Sequence, residues 1–219
     1  MSGIAPQRIA VLLGGPSAEH DVSLVSGRAI AGALASLGVV QGDRVMVFAH
    51  NGLDYVLTML GAWRVGAIAA LVNVQYVDTL DYYVNDFRPK VLIYTGDHLA
   101  TIDRHRASLR SIEHYICMDG PQPGALDWNE LLATAPPAPS DTTEDGDIAH
   151  LSYTSGTSGL PKGACLSHEP TLRATRCIAE RLRLTPDTVS LGPTALSSSY
   201  QLVANLLPTL GMGGTAAVM

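Results

Sequence analysis

Cysteine is scarce in this chain: Cys117, Cys165 and Cys177 are the only three among 219 residues. The count is odd and no pair has C-x-x-C spacing. That argues against a disulfide scaffold and for a reduced, cytoplasmic protein. The seven histidines do not fall beside the cysteines at ligand spacing, so no metal centre is expected. Positive charge is also in short supply, with 14 lysines and arginines against 20 acidic residues and a net charge of −6. No basic stripe runs along the chain, which argues against nucleic acid as the main partner. An acidic chain does not attract a nucleotide by itself, so any such site must be built locally. Long hydrophobic runs are missing as well. The apolar stretch at 9–13 is too short for a secretory core or a bilayer span, so no membrane span is expected.

What is present is enough to fold. Apolar residues make up 47% and charged residues 16%, a composition that can bury a core. Residues 9–13 form a continuous apolar run ended by Gly14-Gly15-Pro16, the pattern of a strand buried on both faces. Apolar residues at helical spacing follow over 22–37, with Gly38 as a C-cap. Further strands are expected at 44–49, 67–72, 91–94, 114–118, 148–153, 164–166, around 189 and at 215–219. Helices are expected at 53–65, 79–87, 98–109, 168–184 and 200–210. The helix over 79–87 stops before Pro89. Strands alternating with helices predict an α/β architecture with a largely parallel sheet covered by helices. Such sheets bind ligands at the carboxyl ends of their strands. Residues 135–147, rich in proline and acidic side chains, read as a solvated surface linker.

One segment carries chemistry. Tyr153-Thr-Ser-Gly-Thr-Ser-Gly-Leu-Pro-Lys-Gly163 combines glycines, hydroxyls and a lysine. Glycines let the backbone approach a ligand, and consecutive N–H groups in such turns form an anion-binding nest. The hydroxyls of Thr154, Ser155, Thr157 and Ser158 add donors, Lys162 adds a mobile positive charge, and Pro161 stiffens the loop beside it. The segment is not a Walker A motif, because Lys162 is preceded by proline and followed by glycine. It is not a dinucleotide fingerprint either.

In residue order the segment resembles the signature loop of the adenylate-forming superfamily: acyl-CoA synthetases, peptide-synthetase adenylation domains and luciferases. It departs from the family form only in Ser158, where the family has a second threonine. Leu37-Gly-Val-Val-Gln-Gly-Asp-Arg-Val45, Leu60-Gly-Ala-Trp-Arg-Val-Gly-Ala67, Lys90-Val-Leu-Ile93 and Leu166-Ser-His168 are similar to further family segments, so the resemblance runs over 28–219. It implies the N-terminal portion of the adenylate-forming ligase fold. It also implies a two-step reaction, in which a small carboxylic acid attacks the α-phosphate of Mg2+-bound ATP and a thiol, usually that of coenzyme A, then takes the acyl group. By this resemblance Thr154, Ser155, Gly156, Thr157, Ser158 and Gly159 hold the ATP phosphates, and Lys162 serves both binding and catalysis.

Two stretches depart from that pattern. Residues 8–26 resemble the opening of D-alanine–D-alanine ligases, with Glu19 matching a glutamate that helps place the first substrate there. None of that family's remaining apparatus follows, so residues 1–27 are expected to act structurally, as an entry strand and helix start. At the other end, the family's later motifs for adenine, ribose and the catalytic lysine of the mobile domain are absent. Pro193-Thr-Ala-Leu-Ser-Ser-Ser-Tyr200 replaces the usual aromatic–histidine wall of the acyl pocket, and Tyr200 reads as a core residue. The chain is therefore expected to be a truncated member, with an apolar surface near 202–210 and self-association as the consequence. A non-catalytic phosphate-binding fragment or a chimera is the alternative reading. Among the remaining candidates, His50 and Asn51 read as a turn, Trp63 as core, and His98, His105 and His114 as unconnected.

Overall fold

The computed structural model describes residues 10–13, 18–141, 143–154 and 161–219. Its main feature is a seven-stranded sheet of order β6-β5-β4-β2-β3-β7-β8. The strands are β2 Arg44–Phe48, β3 Ile68–Leu71, β4 Val91–Tyr94, β5 His114–Cys117, β6 Leu126–Asp127, β7 Ile148–Thr154 and β8 Lys162–Ser167. All neighbours run parallel except β7 and β8. This is the largely parallel sheet that the alternating pattern requires.

Each central strand is buried on both faces, and successive residues serve opposite cores. Val45, Val47, Val91 and Ile93 join one cluster, with Ile30 and Leu34 of α1 (Ala18–Ser36) and Val56 and Met59 of α2 (Leu53–Arg64). Met46, Phe48, Leu92 and Tyr94 join the other, with Leu80, Val84 and Phe87 of α3 (Leu80–Phe87) and Ile102 of α4 (Leu99–His105). Helices α1 and α2 meet closely at Gly61, where a Cβ would come within 2.5 Å of Ile30 Cγ2. The Leu-Gly pair of that segment therefore has a packing reason. Lys90 explains two other family-like segments: its Nζ donates to Gly38 O at 2.6 Å and lies 3.1 Å from Asp43 Oδ2.

A second, three-stranded sheet has the order β1-β10-β9, from β1 Ala10–Leu13, β9 Val189–Gly192 and β10 Thr215–Val218. Helix α6 (His168–Leu182) precedes β9. Helix α7 (Ser199–Gln201) continues through a π turn at Leu202–Leu206 into α8 (Leu207–Gly211). Pro208 supplies the reason for the π turn, because it has no N–H to donate to the preceding turn. Helix α1 runs from residue 18 to 36 without a break. Glu19 lies within it, and its side chain falls outside the described residues.

Several expectations need correction. The apolar side chains of 202–210 face inward, with Leu202 and Leu206 buried, because they cover the same core as α1 and α2. Exposed apolar side chains sit instead on the outer strand β9, at Val189 and Leu191. Tyr200 is not core but 70% exposed. The described residues of 135–147 are irregular and largely exposed, as a solvated linker should be, and are fastened at their end: Thr143 Oγ1 donates to Trp63 O at 3.0 Å and Gln41 Nε2 to Asp147 Oδ2 at 2.7 Å. Strand β6 and helix α5 (Trp128–Ala133) were not foreseen. Their signal was Asp127-Trp-Asn-Glu130, for Asp127 Oδ1 caps the helix by accepting from Glu130 N at 2.9 Å.

Asn51 joins the two sheets. Its Nδ2 donates to Thr194 O at 2.9 Å and Met219 O at 2.6 Å, and its Oδ1 accepts from Leu196 N at 2.8 Å. The expected simple turn is thus a three-bond clasp. At about 1 kcal/mol per hydrogen bond, Asn51→Ala is expected to lower stability by about 2–3 kcal/mol. Asn51→Asp should not rescue it, because a carboxylate would face two carbonyl oxygens. Urea unfolding checks this, and a loss below about 0.5 kcal/mol would mean the clasp is not structural.

His150, in β7, is fully buried. Neither of its ring nitrogens has a hydrogen-bond partner among the described residues. Burial, with His168 nearby, pushes its pKa down from 6.5 to about 4. The folded state therefore favours neutral His150, while the unfolded chain takes up a proton at higher pH. The stability this contributes is fully present above pH 6.5 and is lost as pH falls toward 4. The loss across that window is about 3 kcal/mol. His150→Leu is expected to flatten this slope and to match or exceed the parent's stability near neutral pH. Thermal melts across the window test it; an unchanged slope would assign the acid sensitivity elsewhere.

Candidate functional site

The glycine-rich segment spans the turn between β7 and β8. In this antiparallel hairpin Tyr153 faces Gly163 and Thr154 faces Lys162. Thr154 Oγ1 donates to Lys162 O at 3.4 Å, and both side chains are exposed. A Cβ at Gly163 would come within 2.9 Å of Leu151 Cδ2, so a larger residue there would have to displace the Leu151 side chain. Ser155, Gly156, Thr157, Ser158 and Gly159 lie outside the described residues. The hairpin thus brings Thr154 and Lys162, the outer members of the expected phosphate-holding set, to one place.

Helix α3 holds both shoulders of the segment. Tyr82 OH donates to Pro161 O at 2.6 Å, and Tyr153 OH donates to Asp86 Oδ2 at 2.8 Å. Burial first, and then Asp86, push the Tyr153 pKa up, so the hydroxyl stays a donor. Tyr83 packs edge-on against Tyr153 at 4.6 Å and stacks on Tyr76 at 5.5 Å. Its own pKa is raised to about 12, mainly by burial. Sequence reading missed Tyr82 and Asp86, because the helix also carries Asp81 and Asn85 and nothing singled these two out.

A cavity of about 1030 Å³ opens at the carboxyl edge of the large sheet, where parallel sheets present their ligand sites. His50 follows β2, Asn73 follows β3, Asp97 follows β4 and Asp119 follows β5; all four line it, with Thr194 and Ser197 on the far side. The segment expected to replace the aromatic–histidine wall thus does line a cavity. Parallel pairing brings His50, Asp97 and His98 within reach of one another, a grouping the linear spacing did not reveal. His105 and His114 stand apart, at the end of α4 and the start of β5. All three cysteines are free, with Cys117 buried and the other two exposed. No helix among the described residues is long and apolar enough to cross a membrane.

Comparison with known proteins adds the following. The family model described as "AMP-binding enzyme" matches residues 27–219. The 4-hydroxybenzoate--CoA/benzoate--CoA ligase of Rhodopseudomonas palustris is 30% identical over 189 residues, which cover 84% of this chain and 35% of that protein. The acyl-CoA ligase sidI of Beauveria bassiana is 28% identical over 197 residues, covering 84% of this chain and 34% of that protein. Among solved structures, the anthranilate CoA ligase AuaEII in complex with anthranoyl-AMP superposes with a TM-score of 0.85 at 26% identity, covering 91% of this chain and 39% of that one. The chain spans about a third of the length of the curated relatives it matches.

Removing the α3 clamp tests its role. The double variant Tyr82→Phe/Asp86→Ala is expected to lose about 2 kcal/mol of stability at about 1 kcal/mol per hydrogen bond, and to bind pyrophosphate several-fold more weakly by calorimetry. Unchanged pyrophosphate affinity would show that the clamp supports the fold alone.

Proposed function

We propose, from the premise that this chain belongs to the AMP-binding enzyme family, that it carries the ATP-phosphate end of a carboxylate-activating ligase of the acyl-CoA synthetase type. The observation that carries the reading is the Tyr153–Gly163 segment at the mouth of the β7–β8 hairpin, with Thr154 and Lys162 exposed side by side and both shoulders tied to α3. An exposed hydroxyl beside an exposed ammonium suits a polyanion, which fits a triphosphate.

In the proposed reaction a carboxylate oxygen attacks the α-phosphorus of ATP and pyrophosphate leaves. The thiolate of coenzyme A then attacks the acyl carbon and displaces AMP. Magnesium bound with the nucleotide would offset charge on its phosphates. Thr154, Ser155, Gly156, Thr157, Ser158 and Gly159 donate hydroxyl and backbone N–H groups to the β- and γ-phosphates. Lys162 neutralises charge as it moves onto the departing pyrophosphate, the main source of acceleration in such transfers. The cavity beyond β2, β3 and β4 is the place proposed for the small carboxylic acid. The relatives named for benzoate and anthranilate make aryl acids the first to try.

The chain spans only about a third of the ligases it matches, so the reading has two forms: turnover by this chain, or phosphate binding without turnover. Carboxylate-dependent ATP–pyrophosphate exchange separates them. With turnover, Lys162→Ala is expected to cut exchange by about 100-fold or more while the melting temperature holds. Saturable ATP binding without exchange across a panel of aryl and alkyl acids selects the second form. Absence of both binding and exchange overturns the proposal.

A further inference from the structure

The carboxyl edge of the sheet brings together a grouping that the ligase reading does not use. β2 and β4 are parallel neighbours, with Phe48 opposite Tyr94. The residues just beyond them, His50 and Asp97, therefore overhang the same point. His50 Nε2 lies 2.7 Å from Asp97 Oδ2, while His98 Nε2 lies 3.7 Å from the other carboxylate oxygen, Oδ1. Each oxygen of Asp97 thus faces a different imidazole, and one donor atom from each of the three residues falls within 4.8 Å of the others. The two imidazole rings are 5.1 Å apart.

His98 supplies an independent reason to expect a ligand. Its Nε2 is buried and has no hydrogen-bond partner among the described residues, an arrangement that folded proteins seldom leave uncompensated. The ring is held by packing against Phe48, with centroids 4.8 Å apart. The turn carrying Asp97 is fixed by Gly96 N, which donates to Asp119 Oδ2 at 2.7 Å, and by His98 N, which donates to Thr95 O at 3.0 Å. The three donors are thus set by β-sheet register and a pinned turn rather than by a mobile loop.

We propose that His50, Asp97 and His98 form a binding site for a divalent transition-metal ion of the zinc type. Bonds of the usual length put tetrahedral donors about 3.4 Å apart; the imidazoles lie 2.7 and 3.7 Å from opposite oxygens of Asp97, and all the donors fall within 4.8 Å, so small side-chain rotations bring one donor from each onto a shared ion. Two imidazoles and one carboxylate select zinc, cobalt or nickel over magnesium, which prefers an all-oxygen shell. Asp119, through Gly96, supplies the outer support that orients the carboxylate-bearing turn. Because His50 and Asp97 line the cavity, the fourth coordination position opens into it and takes water or an anionic oxygen of whatever occupies the cleft. Binding is read without substrate, so this proposal stands or falls apart from the ligase reading.

The test uses the 219-residue chain, freed of any affinity tag and stripped with EDTA. Titration with Co2+, followed by visible absorption, is expected to show one tetrahedral ion per chain that Zn2+ displaces and Mg2+ does not. His50→Ala, which changes an exposed side chain, and Asp97→Asn are each expected to weaken Co2+ binding by about 100-fold. His105→Gln, outside the grouping, should leave it unchanged. Circular dichroism of the metal-free variants checks that they fold. No saturable binding by the parent chain overturns the site, as does undiminished binding by folded His50→Ala and Asp97→Asn.

Discussion

Parallel register between β2 and β4 sets Phe48 opposite Tyr94, and much of what is chemical in this chain follows from that alignment. Strands β2, β3, β4, β5 and β7 all run the same way, so the residues that follow them gather at one edge. The register survives because each of these strands is buried between two helical layers. A slip of one residue would send Val45 and Val47 into the core that Met46 and Phe48 now fill. Functional geometry at the edge is thus inherited from core packing some distance away. His50 and Asp97 are both more than half exposed, yet their positions are fixed by side chains that water never reaches.

The sequence exposed that core readily, and the edge hardly at all. Doubly buried strands such as 91–94 read as plain apolar runs. Their helices were bracketed by residues with local mechanisms, Gly38 after α1 and Pro89 after α3. The glycine-rich segment was legible for a different reason, since its chemistry is contiguous in the chain and so is its pattern. What could not be read is what the sheet assembles from distant pieces. His50 and Asp97 are separated by 47 residues, and nothing in either segment points to the other. The same holds for Asp86 and Tyr153, 67 residues apart. Asp127 is an instructive contrast, because its cap on Glu130 N is local and its pattern was there to be read.

Tyr200 and the 202–210 stretch failed for a further reason. Apolar residues at helical spacing show that one face is buried but not against what. Here the partner is the core that α1 and α2 already share with the large sheet, so Leu202 and Leu206 turn inward. Exposure passes to β9, the outer strand of the small sheet, and to Tyr200 at the start of the helix. Tyr82 of α3 and Tyr153 of β7 were passed over for a related reason. Their hydroxyls fasten the two shoulders of the glycine-rich segment, and neither partner lies near in sequence.

Two fastenings of different character therefore govern the two parts of the candidate site. The α3 clamp acts within the large sheet, on the face carrying Leu92 and Tyr94, and sets the shoulders of the β7–β8 turn. The Asn51 clasp acts between sheets, drawing the 194–196 segment and Met219 against the end of β2, and so shapes the far wall of the cavity. The Asn51 bonds reach the 194–196 wall and none of them reaches Tyr153 or Pro161. The α3 bonds reach Pro161 and Tyr153 and none of them reaches that wall. The setting of the β7–β8 turn and the shape of the cleft thus rest on separate contacts, although both depend on one parallel sheet.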